Sequence, residues 1–158
     1  MNYLMPSILL IILTLQTSAQ SKKEVKAHKI KASMTTIVEN GKTINDAKTL
    51  FDAKGNEIEK TNYNKEGTIK SIHKFKYNSD GDELEDEQYD ATNKLIEKKI
   101  TKYNLLGEKT EEAYYDTLGK LVKKETFTYD GKGLKTERKT VDAEGKIVST
   151  KKYVYITK

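Results

Sequence analysis

The sequence predicts an all-β chain: a repetitive antiparallel meander of about ten strands forming one single-layer coiled sheet. Three observations carry that expectation. A glycine, replaced once by Asn93, recurs at spacings that alternate between 14 and 12 residues. Four residues before each stands an aromatic or aliphatic side chain, usually followed by Asp or Asn. The segments between are rich in Thr, Tyr, Lys and Glu and lack proline, which reads as strand bounded by turn.

In chain order the pairs are Ile37 with Gly41, Phe51 with Gly55, Tyr63 with Gly67, Tyr77 with Gly81 and Tyr89 with Asn93. Tyr103 with Gly107, Tyr115 with Gly119, Tyr129 with Gly133 and Val141 with Gly145 follow, and Tyr155 stands one spacing further on. Asp or Asn at the first position of a type I turn caps it through its side chain. Glycine three residues later takes the left-handed conformation that joins two antiparallel strands through a bulge. Asn93 is the expected substitute, because Asn tolerates that conformation best among side-chain-bearing residues. The residue opening each unit then faces the one six later: Tyr63 faces Ile69, Tyr89 faces Leu95, Tyr115 faces Leu121 and Val141 faces Ile147.

Pairing across such a turn preserves odd and even numbering, so parity is expected to report the face. Of the twelve aromatics from Phe51 to Tyr155 only Tyr114 is even-numbered, which predicts an aromatic stripe on one face. The opposite face is expected to hold Ile58, Ile72, Leu84, Ile96, Ile100, Val122, Val148 and Val154. Charges such as Glu57, Glu59, Glu85, Lys99 and Lys123 interrupt the aromatic side. Neither face is therefore one wall of a dry two-layer core, and a sheet wetted on both sides is the expected solution. Alternating spacings also make equivalent residues slip by two positions for every two strands. That shear suits an open coiled sheet or, alternatively, an up-and-down barrel.

The first nineteen residues contain no Lys, Arg, Asp or Glu. Their apolar run over 4–15 is shorter than the roughly 20 residues that span a bilayer. It ends in the small residues Thr17, Ser18 and Ala19, as in a secretory signal cleaved after Ala19; the alternative is an uncleaved anchor. The expected organisation is a signal peptide over 1–19, a lead-in over 20–36 and a repeat domain over 37–158. With no Cys there is neither a disulfide nor a lipid-modified cysteine. A secreted chain without disulfides suits a bacterial envelope, either periplasmic or extracellular, with no stable membrane insertion after cleavage.

The unit Tyr115-Asp116-Thr117-Leu118-Gly119-Lys120-Leu121 and its counterpart Tyr89-Asp90-Ala91-Thr92-Asn93-Lys94-Leu95 resemble the bacterial YD repeat, also called the RHS repeat. The resemblance covers about Ile37 to Tyr155. It implies a string of β-hairpins on a secreted or surface protein, and it says little about activity. The Asn-Gly-Lys turn at residues 40–42 is similar, more weakly, to MORN-like variants.

Catalytic residue types are scarce. There are two His and no Cys, no phosphate-binding glycine loop and no zinc spacing. His28 precedes the repeats, and His73 falls in mid-strand on the expected aromatic face. Glu83, Glu85 and Glu87 are expected on one face beside Tyr89, with Asp82 and Asp86 on the other. That carboxylate row is the one enzymatic alternative, an acid–base hydrolase. Asn78, Asp80 and Asp82 alternate as in a calcium loop, but the glycine comes two positions too early for an EF-hand, so no metal and no cofactor are expected.

Charge is segmental, with 5 basic and 10 acidic residues over 55–90 and 16 basic and 10 acidic over 91–158, within a net charge of +5. Opposite charges interleave along the same strands, which argues against nucleic acid. The expected function is a non-catalytic secreted or periplasmic module with a binding or structural role. Its candidate binding face is Tyr63, Phe75, Tyr77, Tyr89, Tyr103, Tyr115, Phe127 and Tyr129. Its expected partner is an envelope glycan or another envelope protein; the alternative is a scaffold with no ligand.

Overall fold

The computed structural model describes residues 21–156, so the expected signal segment and cleavage site lie outside the described residues. One short helix, α1 (Lys22–Ala27), precedes ten strands. These are β1 (Ala32–Glu39), β2 (Lys42–Phe51), β3 (Glu57–Tyr63), β4 (Ile69–Tyr77) and β5 (Glu83–Tyr89). β6 (Leu95–Tyr103), β7 (Lys109–Tyr115), β8 (Leu121–Tyr129), β9 (Lys135–Asp142) and β10 (Ile147–Lys152) complete them. All ten form a single antiparallel sheet in sequence order. Elements in contact are sequence neighbours, β1 does not pair with β10, and the sheet is open and uncurled. The barrel alternative and the coiling are both corrected by this arrangement. The shear itself is present: Glu59 pairs with Lys74 and Lys74 with Glu87, a step of 28 against a repeat of 26. Shear closes a sheet only where one face is apolar enough to wrap inward, and here charge stands on both faces, Glu83 and Asp86 on one and Glu85 and Glu87 on the other.

The turns form where the glycines place them. At the unit opened by Tyr115, Gly119 N–H donates to Asp116 O at 3.0 Å and Asp116 N–H to Lys120 O at 3.0 Å. The Asp116 carboxylate accepts from the backbone N–H of Leu118 and of Lys120, both at 2.9 Å. The same paired acceptance recurs at Asn64, Asn78, Asp90, Asn104, Asp130 and Asp142. Asn93 does take the left-handed conformation, at φ +63°. The first turn is different. Glu39 pairs directly with Lys42, so Asn40 and Gly41 alone make the loop, both at positive φ. Asn-Gly is the preferred content of such a two-residue hairpin, and the four-residue turn expected there is not formed.

The expected facing pairs are present: Tyr63 with Ile69, Tyr89 with Leu95, Tyr115 with Leu121 and Val141 with Ile147. One residue further in, the register shifts in every one of these hairpins. Phe51 pairs with Glu57 but Leu50 with Glu59, leaving Ile58 without a partner. Lys70, Leu84, Ile96, Thr110, Val122, Thr136 and Val148 are skipped in the same way. A one-residue bulge inverts parity for the rest of the strand pair. The aromatic residues therefore do not share a face. The front face holds Phe75, Tyr77, Tyr103, Phe127 and Tyr129, whereas the back face holds Tyr63, Tyr89 and Tyr115. Parity failed because the side-chain period counts paired residues, and each hairpin contains an unpaired one. Five of the eight aliphatic residues expected opposite the stripe, Ile58, Leu84, Ile96, Val122 and Val148, are these bulge residues.

The sheet has two rows of turns. The upper row follows β1, β3, β5, β7 and β9; the lower row follows β2, β4, β6 and β8. Helix α1 sits at the lower row, within the expected lead-in. Its Ser21 and Glu24 form a reciprocal capping box, and Val25 is 1% exposed. A Cβ on Gly55 would stand 2.6 Å from Lys22 O, so this turn and α1 fit together only through glycine. Elsewhere burial is thin. Besides Val25, the buried apolar side chains are Ala47, Ala113 and Phe127, and the other buried side chains are polar. Sheet stability here rests on the ladder and on cross-strand pairs, each contributing about 0.2–1 kcal/mol.

Candidate functional site

The eight aromatic residues expected to make one binding face fall into two groups with different surroundings. On the front face the hydroxyls of Tyr77, Tyr103 and Tyr129 donate to the carbonyls of Glu57, Glu83 and Lys109 at 2.8, 3.1 and 2.9 Å. Tyr155 repeats the contact with Lys135 at 2.9 Å. In each case the acceptor lies 20 residues upstream, at the start of the preceding strand in the sheet, beside the lower row of turns. Burial pushes the phenol pKa of Tyr77, Tyr103 and Tyr129 upward, with Glu83 and Glu57 adding to it at Tyr77 and Glu83 among others at Tyr103. Neutral phenols that donate to backbone carbonyls are clasps holding adjacent strands together.

On the back face, Tyr63, Tyr89 and Tyr115 stand at the upper row of turns. Tyr89 donates to Glu87 at 2.7 Å, and that bond raises its pKa. Tyr63 lines a cavity of about 360 Å³ with Ile37, Ile44 and Lys70, at the tip of the first hairpin. Phe75 and Tyr77 line a separate hollow of about 570 Å³ between the lower turns, with Asn56 and Ile58. The structure therefore does not gather the eight residues into one surface.

The carboxylate row is also divided. Glu85 and Glu87 lie on the back face, but the bulge at Leu84 puts Glu83 on the front face, opposite Tyr77 and with Asp86. Lys98 Nζ lies 2.6 Å from Glu85 and 3.3 Å from Glu87, and Lys76 is 3.1 Å from Glu85. The Lys98 hydrogen bond holds Glu85 below the usual carboxylate range, and the Tyr89 hydroxyl does so for Glu87. Neither is poised as a general acid, which needs a raised pKa. Lys99 bridges Glu83 at 2.8 Å and Asp86 at 3.7 Å on the front.

His73 lies on the front face with Phe75, its ring stacked 6.0 Å from the phenyl and its Nδ1 3.0 Å from Asp86. Ile69, on the same strand, pairs with Tyr63 on the opposite, back face. Further along, Glu112 and Glu125 are direct cross-strand partners, each 8% exposed. Desolvation raises the Glu112 pKa most, but Lys109 at 2.6 Å, Lys99 and the Tyr114 hydroxyl together turn the net shift downward. Glu125 has Lys123 at 3.8 Å and Arg138 at 3.6 Å. Lys123 also stands 4.0 Å over the Tyr114 ring, and Lys135 4.6 Å over Phe127. Among the described residues no three His, Cys, Asp or Glu side chains group to hold a metal ion.

The clasps and the Glu112–Glu125 pairing were not anticipated. Tyr77, Tyr103, Tyr129 and Tyr155 recur at a 26-residue period, but Tyr63, Tyr89 and Tyr115 do so as well, so the sequence did not single out the clasps. The carboxylate pairing depends on bulge positions and had no signal.

These features define the class: a single-layer antiparallel repeat sheet with clasped lower turns and charge-laddered faces. No family model matches the chain, and no curated protein matches it. Among solved structures it is similar to a Bacteroides fragilis protein of unknown function, at 14% identity and TM-score 0.44, covering 80% of this chain and 96% of that one. It is also similar to part of Staphylococcus aureus TarM, at 19% identity and TM-score 0.30, covering 79% of this chain and 22% of TarM. A GtfA/B complex aligns at 14% identity and TM-score 0.29, covering 75% of this chain and 24% of that one. The chain thus spans under a quarter of the latter two.

Proposed function

We propose that the protein is a non-catalytic repeat module, secreted or periplasmic in a bacterial envelope, that acts as a structural platform or spacer. The observation that carries this reading is the clasp series. Four tyrosine hydroxyls at successive repeats bind backbone carbonyls of the same sheet, so the most regular aromatic feature serves the fold. The division of Glu83 from Glu85 and Glu87, each paired with lysine, supports the non-catalytic part. The resemblance of Tyr115 to Leu121 and of Tyr89 to Leu95 to the YD repeat supports the envelope setting.

The test is retention of the processed protein on cell-wall extract, surface polysaccharide and envelope lysate at physiological salt. A platform without a ligand is expected to retain nothing on its faces, and Tyr89→Ala and Tyr115→Ala to change nothing. Saturable retention that those folded variants abolish would overturn the ligand-free reading in favour of a glycan- or protein-binding back face. Intact mass of protein from its native envelope is expected to place Gln20 at the N-terminus; a retained Met1 would favour an anchor.

A further inference from the structure

Between α1 and the lower turn after β2 lies a hollow of about 570 Å³. Its floor is the buried Val25 with the half-buried Ile30 and Phe51, and its rim is the exposed Lys26, Lys29 and Lys31. We propose that it binds a free single-chain anionic amphiphile, a long-chain carboxylate, with the tail on the apolar floor and the head among the three lysines. The volume falls within the range of about 300–1,000 Å³ usual for small-molecule sites. The walls are held in place by the backbone. Ile30 N–H donates to Val25 O at 3.0 Å and closes α1, and Phe51 N–H donates to Lys31 O at 2.9 Å and ties the following linker to β2.

Charge selects the head. Among the described residues none of the three rim lysines is in an ion pair. Asp52, the one acid in the lining, accepts from the backbone N–H of Lys54 and Asn56, both at 2.8 Å, and from Asn56 Nδ2 at 2.7 Å. Its carboxylate is thus committed to its own turn. Lys29 adds a second observation. It stands at φ +52°, and every other described residue at positive φ is glycine or asparagine. Glycine is the ordinary occupant of that position just past a helix, so the chain keeps an ammonium at the rim at a backbone cost. Shape selects a free molecule over a bilayer. The one large apolar side chain of α1, Val25, is 1% exposed, and the exposed residues of the helix are Lys22, Lys23, Glu24, Lys26 and Ala27. Such a helix has no apolar face to lay into a membrane. The inference goes beyond the platform reading and does not depend on it, because none of the eight candidate aromatic residues lines this hollow.

Calorimetric titration of the full chain with decanoate, kept below its micelle concentration, tests it. One saturable site is expected, and none for decyltrimethylammonium, which carries the same tail on a cationic head. Lys29→Gly is expected to weaken decanoate binding about threefold while raising the urea midpoint, because glycine relieves the backbone at that position. Lys26→Gln, Lys29→Gln and Lys31→Gln together are expected to weaken it about tenfold with the β circular-dichroism spectrum unchanged. No saturable site for decanoate, equal binding of the cationic amphiphile, or an affinity that the triple variant leaves unchanged would each overturn the proposal. The last of these also separates the hollow from binding through residues 1–19. Capture on dioleoylphosphatidylglycerol vesicles without a decanoate site would overturn it too, and would assign the lysines to a bilayer surface.

Discussion

The upper and lower rows of turns are built from the same short motif, yet they solve different problems. The upper turns after β3, β5 and β7 open with a ring facing an aliphatic partner six residues later, Tyr63 on Ile69, Tyr89 on Leu95 and Tyr115 on Leu121, while those after β1 and β9 follow Ile37 and Val141. Each lower turn instead opens with a tyrosine whose hydroxyl reaches across to the neighbouring strand. The upper ring stabilises its own hairpin, whereas the lower ring ties that hairpin to the one before. Phe51, the first of the lower series, has no hydroxyl, and there α1 stands against the turn instead. A meander needs both kinds of contact, because hairpins that close only on themselves leave every second strand pair held by the ladder alone.

The largest effect separating the rows is expected from Tyr103→Ala, which removes a half-buried ring and a clasp together. It is expected to destabilise by about 3 kcal/mol, against about 1 kcal/mol for Tyr115→Ala, in urea unfolding. Equal losses would break the distinction. Gly55→Ala comes next, at about 2 kcal/mol: a positive φ of +83° and the contact with Lys22 O both oppose a side chain. Gly119→Ala meets only the φ term, and is expected to cost about 1 kcal/mol and leave α1 in place.

Smaller still is Tyr103→Phe, which removes one hydroxyl and is expected to cost about 1 kcal/mol. Tyr115→Phe is expected to have almost no effect. The pH dependence sharpens the same contrast. Tyr77, Tyr103 and Tyr129 have folded pKa values raised above the ordinary tyrosine value of 10.0. Their linked stability is complete below that value and is lost as pH rises beyond it. Tyr103→Phe is expected to flatten the alkaline decline measurably, and an unchanged slope would remove the clasp from the account. In acid the sign reverses. Glu85, Glu87 and Glu111 have lowered pKa values, through Lys98, Tyr89 and Lys102 respectively. Their contribution is present above the ordinary glutamate range and is lost as pH falls through it.

The sequence made the strands and turns legible because each turn is a local event: Asp116 and Gly119 are three residues apart and need nothing from elsewhere. Facing pairs such as Tyr89 and Leu95 were legible for the same reason. The faces were not. A single skipped residue at Leu84 moves Glu83 to the other side of the sheet from Glu85, and no side-chain type announces that Leu84 is unpaired. Helix α1 had a readable signal in Ser21 and Glu24, the two ends of a capping box. It is only six residues long, and tertiary contact with Gly55 decides whether so short a segment is helical.

A sheet without an interior has no natural size. In a packed domain the volume enclosed by the walls fixes how many elements fit, and adding one leaves a gap or a clash. Here each hairpin meets only its predecessor and its successor, so nothing in the middle of the chain registers how many there are. Deleting or duplicating one 26-residue period within the array is a neutral change of length for every remaining contact. Length is therefore a free parameter of this architecture, set by nothing inside it.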